Sequence, residues 1–121
     1  MSLTNHGENA VLELVKGAGP FWLALFREAP DDEGGGVEIS GAGYARQRVS
    51  FGTPAGGTLA SDAAIEFPAA VSDWGTAGGW ALFDAESGGR MWWGGAVDVP
   101  KPLYAGDIYR VDAGALSLSM D

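Results

Sequence analysis

The sequence predicts a mainly β protein, an antiparallel β-sandwich or flattened barrel of about seven or eight strands with one short N-terminal α-helix. Three observations carry that expectation. The chain combines 20 glycines with five tryptophans, a pairing that favours many short strands joined by tight turns. Runs of alternating apolar and polar residues are punctuated by Gly and Pro clusters from residue 20 onward. Helical spacing of apolar residues occurs only near the N-terminus.

The helix is expected in LTNHGENAVLELVKG, over residues 4–17. Asn5 is a capping residue with Glu8 three positions on, in the capping-box arrangement, and Thr4 is an equally good cap one residue earlier. Val11, Leu12, Leu14 and Val15 make one apolar face, Lys16 suits the negative end of the helix dipole, and Gly17 is a natural terminator. So short a helix is unstable alone, so its face docks on its own sheet or on a neighbouring subunit.

The β region is expected to fill residues 20–121, giving a single domain over 1–121. FWLALFRE is apolar on both parities, as in a strand buried on both faces. APDDEGGG is a flexible acidic loop and VEIS a short alternating strand. In YARQRVSF, Tyr44, Arg46, Arg48 and Ser50 share one parity, while Val49 and Phe51 on the other enter the core. Ile65 and Phe67 point inward and Glu66 outward, with Pro68 ending the pairing or marking an edge. VSDWGTAGG reads as a loop. WALFD and RMWWGGA form the clearest hairpin, around AESGG. VDVPKPLYAGD is an extended connection, IYRVDAG a further strand, and Leu116, Leu118 and Met120 are the inward residues of the last one.

Composition narrows the function. Sixteen acidic against seven basic residues give a formal net charge of -9, which disfavours nucleic acid as a partner. There is no apolar window long enough to span a membrane and no signal-peptide pattern at the N-terminus, so no membrane partner is expected and the chain is expected to be made in the cytoplasm. With no cysteine, neither a disulfide nor a thiolate centre can form. His6 is the only histidine, so a zinc pair is excluded and a Ser-His-Asp triad would need a residue near the frayed start of the helix. Glu28, Asp31, Asp32 and Glu33 crowd one loop, but their spacing is not that of an EF-hand. The glycine-rich stretches lack a phosphate-loop pattern. Trp74, Trp80, Trp92 and Trp93 are candidates for a sugar-stacking platform, although Trp92 and Trp93, being adjacent, face opposite ways on a regular strand, one into the core and one outward. No catalytic residue, cofactor site or metal site is assigned.

GYARQRVSFGTPAGGTLASDAAIEFPAA, DWGTAGGWALFDAESGGRMWWGGA and PKPLYAGDIYRVDAGALSLSMD, with the helical opening, resemble a family of short structural proteins of tailed bacteriophages commonly labelled tail fibre proteins. The resemblance runs along nearly the whole chain, and the ordered series GYARQ, FPAA, WG, LFDA, GG and AGD carries it. It implies a non-enzymatic virion component, exposed on the virion surface. The chain has no heptads, repeats or shaft. A compact acidic body fits a capsid decoration (cement) protein first, acting as a homotrimer on the major capsid protein or other virion proteins. The alternative is a tail-fibre or tail-tip module contacting the host surface. The expected contact residues are Tyr44, Arg46, Arg48, Trp92, Trp93 and Arg110, with the two arginines of YARQR forming a positive strip on an acidic body.

Overall fold

The structure, a computed structural model, describes residues 3–119. One helix, α1 (Asn5–Ala18), precedes eight strands: β1 (Phe21–Phe26), β2 (Gln47–Val49), β3 (Thr58–Ala60), β4 (Ile65–Glu66), β5 (Gly75–Phe83), β6 (Met91–Leu103), β7 (Arg110–Val111) and β8 (Ser117–Ser119). The fold is therefore mainly β and antiparallel, as expected, and its sheets do not close into a barrel. A four-stranded sheet has the order β2-β1-β5-β6, and two two-stranded sheets pair β3 with β8 and β4 with β7.

The four-stranded sheet has two apolar faces because β1 is apolar on both parities. On the first face Leu23 lies opposite Leu82 and Leu25 opposite Trp80. These residues join the main core with Leu59, Leu118, Ile65, Phe67 and Trp74 from the smaller sheets and loops. On the second face Ala24 lies opposite Ala81, and with Phe26 they form a small cluster lined by Phe83 and Met91. The inward parity of β2 and its continuation is as expected, with Val49 and Phe51 buried. Ile65, Phe67, Leu116 and Leu118 are buried as well, while Met120 lies outside the described residues.

Thr4, not Asn5, caps the helix. Its Oγ1 accepts a hydrogen bond from the Gly7 N–H at 3.2 Å, satisfying one of the free amides of the first turn. The helix runs one residue past Gly17 and docks on its own sheet system through fully buried Leu12. Asn9 Oδ1 receives the Gly57 N–H at 3.0 Å, next to β3. Leu14, expected on the docking face, is instead 75% exposed. At 100° per residue it projects away from Leu12.

Two stretches differ from expectation. Gly75 to Gly79 is strand, not loop, and VDVPKPL continues β6 rather than leaving it. The glycines of TAGGW serve close approach here. A Cβ on Gly78 would overlap the Arg27 carbonyl oxygen, one on Gly79 the Glu28 carbonyl, and one on Gly94 the Pro30 ring. The chain leaving β1 thus crosses the second face directly over β5 and β6, through a slot that only glycine leaves open. The VEIS segment is reduced to a single bridge between Glu38 and Phe26, with buried Ile39 donating its N–H to Leu25 O at 2.9 Å.

β6 carries two irregularities relative to β5, between Leu82 and Phe83 and between Ala77 and Gly79. At the first, Trp92 is an extra residue with no opposite number. At the second, residues 97–100 arch away opposite Gly78.

Gly79→Val is expected to lower stability by about 1–3 kcal/mol in chemical denaturation through overpacking against residues 28–29. Gly17→Ala, in an exposed helical position with no neighbour within 4 Å of the new carbon, is expected to raise it by about 0.5–1 kcal/mol.

Candidate interaction surface

The segment expected to display a positive strip is mostly folded inward. Glu38 sits at its centre. The Tyr44 hydroxyl donates to Glu38 Oε2 at 2.6 Å, Arg46 Nε donates to the same oxygen at 3.0 Å, and Arg46 Nη2 donates to Oε1 at 2.9 Å. This is a two-pronged guanidinium–carboxylate pair, the strongest geometry available to these groups. The remaining donor, Nη1, reaches the carbonyl oxygens of Ala85 (3.0 Å) and Gly88 (2.7 Å) in the β5–β6 turn. The guanidinium carbon lies 3.8 Å from the centre of the Phe83 ring, a cation–π contact. Only 9% of the Arg46 side chain is exposed, against 27% for Glu38.

Tyr44 fills a second gap. The pairing of β2 with β1 ends at Gln47 opposite Leu23, which leaves the Leu25 N–H without a strand partner. The Tyr44 hydroxyl accepts it at 3.1 Å, so a side chain continues the ladder where the neighbouring strand stops. The Tyr44 ring stacks on Phe67 (6.2 Å) and meets Trp74 edge-on (5.4 Å). The Trp74 indole N–H in turn donates to Ala42 O at 2.9 Å.

The protonation states follow from this setting. Burial pushes Glu38 up, but the hydrogen bonds from Arg46 and Tyr44, together with the Arg46 charge, outweigh it and hold the carboxyl below its ordinary value of 4.5. Burial, reinforced by the hydrogen bond to anionic Glu38, pushes the Tyr44 phenol well above its ordinary value of 10.0. The cluster is therefore an anion, a cation and a neutral phenol across the neutral range.

The other expected contact residues are placed differently. Arg48 is exposed beside Trp22 on β1, and no salt bridge to it forms among the described residues. Arg110 lies directly opposite Glu66 and pairs with it and with Asp112, each at 3.1 Å, in an exposed setting where such pairs contribute little. Those two carboxylates, Asp112 foremost, raise its pKa further. Trp93 packs against the main core, while Trp92 is 44% exposed. The two indoles nevertheless lie on the same side of the sheet. The bulge at Trp92 turns its ring onto Phe21, 5.4 Å away and part of the same core, and its indole N–H donates to Asp84 Oδ2 at 3.1 Å. The alternation expected for adjacent residues fails because the strand is not regular there.

The tryptophans make no sugar-stacking platform. Trp74 is 1% exposed and belongs to the core, and Trp80 is half-buried, its indole lying over Gly95. The acidic loop is an organised turn. Asp31 Oδ1 accepts the N–H groups of Glu33 (3.0 Å) and Gly35 (2.7 Å), and the Asp31 N–H donates to Gly35 O at 3.0 Å. Among the described residues no cluster of His or carboxylate side chains is arranged to hold a metal ion, and no helix is long and apolar enough to cross a membrane. His6 is exposed in the first turn of α1. Sequence reasoning missed Glu38, whose partners stand six and eight residues away. An acid in a short edge strand gives no signal of its own, and only the Tyr-x-Arg pair pointed to the location.

What the surface retains is an open sheet edge, exposed apolar side chains at Leu14, Val71, Val99 and Tyr104, and two clefts beside β6. Its strongest polar groups are tied into its own framework. These features define a structural β module. Residues 2–119 match the model of the family described as podophage GP4 fiber I protein gp80, and the chain belongs to that family. It is a bacteriophage fibre-type structural protein and so a component of the virion. No curated protein matches the chain.

Arg46→Ala is expected to cost on the order of 2–4 kcal/mol, since it leaves a half-buried carboxylate and two turn carbonyls without their donor. Arg48→Ala should stay within about 0.5 kcal/mol of the parent. Denaturant titrations of the two variants check this directly. Because the folded-state pKa of Glu38 lies below 4.5, its contribution is present at neutral pH and fades as the pH falls below that value. The stability gap between the parent and Glu38→Gln should therefore narrow in acid. Tyr44 has the opposite sign, and its contribution fades as the pH rises above 10.0.

Proposed function

We propose that the protein is a non-enzymatic module of the phage tail fibre apparatus, exposed on the virion and acting through contacts with other virion proteins, copies of itself or the host surface. The observation that carries this reading is the fibre-family match over residues 2–119. A compact, acidic body with no shaft and several surplus aromatics also fits a head decoration role. The match favours the tail, and no feature of the surface favours the capsid over it.

The arrangement of polar groups supports a binding rather than a catalytic role. A reactive site needs a nucleophile or metal, a base within hydrogen-bond reach and a cleft that gathers them. Here Glu38 and Tyr44, both shifted from their ordinary values, are held in a salt-bridged network with 9% of the arginine side chain exposed. The acidic surface, with a net charge of -9, keeps nucleic acid and anionic membranes away. Self-association as a homotrimer is part of the proposal, since closed symmetry is the rule for such assemblies.

Immunogold labelling of virions with an antibody to this chain tests the placement, with label expected on the tail. Label confined to heads, together with heads that lose stability when the protein is missing, would sink the tail reading and restore the decoration role.

A further inference from the structure

The outer edge of β6 is built to receive one more strand. β6 ends its sheet, and among the described residues no backbone hydrogen bond reaches the outer side of its central stretch. Residues 93–96 run in unbroken register with β5, Trp93 opposite Leu82 through Ala96 opposite Gly79. The edge is closed elsewhere. The arch at residues 97–100 interrupts it, and Pro100 and Pro102 have no N–H to offer. Residues 93–96 and the first residue of the arch, Val97, remain available, and none is charged.

What distinguishes this edge from an ordinary bare one is the space on both of its faces. On the second face a cleft of about 590 Å³ separates residues 90–94 from the acidic turn at residues 31–34. On the first face a cleft of about 470 Å³ separates residues 96–99 from the chain at 109–117, with Trp80, Val97, Tyr109 and Val111 in its lining. An added strand presents alternate side chains to opposite faces. Each set would then lie toward one of these clefts, which flank the open edge on its two sides.

The lining chooses the occupant. The second-face cleft is bordered by Asp31, Asp32 and Glu33 against one cation, Arg90. The first-face cleft sets the aromatic and aliphatic side chains of Trp80, Tyr109, Val97 and Val99 beside Asp98, Arg110 and Asp112. It is a mixed wall, with no excess of acid over its one cation as large as that of the other cleft. A second copy of this chain, with a net charge of -9, is a poor match on charge, and its own β6 centre brings no cation. We propose that residues 93–97 bind an extended, basic segment of a different protein by strand addition, with its Lys or Arg side chains toward Asp32 and Glu33 and its apolar ones toward Trp80 and Tyr109. Main-chain bonds supply the grip and the two clefts the selectivity. This holds whichever part of the virion carries the chain.

The probe is a capped heptapeptide of alternating Lys and Val, whose two faces match the two clefts. Hydrogen exchange of the intact protein is expected to slow at residues 93–97 when it is added. N-methylating either all the lysine amides or all the valine amides separates edge pairing from charge attraction. One of the two sets faces β6, so one version should lose binding by at least about tenfold and the other should keep it. An alternating Glu-Val peptide should not bind, and Asp32→Lys with Glu33→Lys should weaken the Lys-Val peptide by a similar factor. Equal binding of both methylated versions, protection that avoids 93–97, or binding of the Glu-Val peptide overturns the proposal. So does concentration-dependent protection of 93–97 in the protein alone, which would make the occupant a second copy.

Discussion

The carboxylate of Glu38 is the point that ties the main core to the packing of the second face. It accepts three hydrogen bonds from two side chains, and each of those side chains reaches on to a different part of the chain. Through Tyr44 it fixes the end of the β1 ladder and the aromatic contacts to Phe67 and Trp74. Through Arg46 it fixes the turn of the long hairpin at Ala85 and Gly88 and the ring of Phe83. A charge pair withdrawn from water this far has to satisfy nearly all of its donors and acceptors to be tolerated. Among the described residues no buried side-chain nitrogen or oxygen is left without a partner. Such a pair contributes less to raw stability than to selecting one arrangement of five separated segments.

The motifs that carry the family likeness gain a physical meaning from this network. Tyr44 and Arg46 come from GYARQ, Phe67 from FPAA, Trp74 from WG, Phe83 and Ala85 from LFDA, and Gly88 from the following GG. The AGD motif joins from the other side, where the Gly106 N–H donates to Ala70 O at 2.6 Å and Ala70 returns its own N–H to Asp107 O at 2.9 Å. Residues scattered over half the chain are therefore one set of contacts. The likeness describes how this fold is held together, and the open edge of β6 lies largely outside that set.

Much of the architecture was legible in the sequence because it rests on local alternation. The doubly apolar β1, the inward Val49 and Phe51, the inward Ile65 and Phe67, and the hairpin around AESGG all follow from period-two patterns and turn residues. Two of the failures share a cause, since each depended on a neighbour distant in sequence. The glycines of TAGGW resemble a loop in sequence, because a glycine admitted for a crossing chain looks the same as one admitted for a turn. Alternation points Arg46 outward, since it says which side a residue takes, not whether that side is covered. Here the second face is covered by the 27–36 crossing and the hairpin turn. The paired tryptophans were assigned opposite faces because a one-residue bulge leaves no mark in composition.

The position of β3 has a kinetic meaning. It receives α1 from one end of the chain, where Gly57 bonds to Asn9 across 48 residues, and β8 from the other, with Gly114 bonding to Ser61 across 53. Neither partner is close in sequence, so this strand can gain little until the segments on both sides of it, about 50 residues away, have been made and collapsed. A topology dominated by such distant pairings is assembled late and slowly, in milliseconds to seconds rather than microseconds. Completion of that strand is therefore a late event in folding, governed by closure of long loops rather than by local pairing.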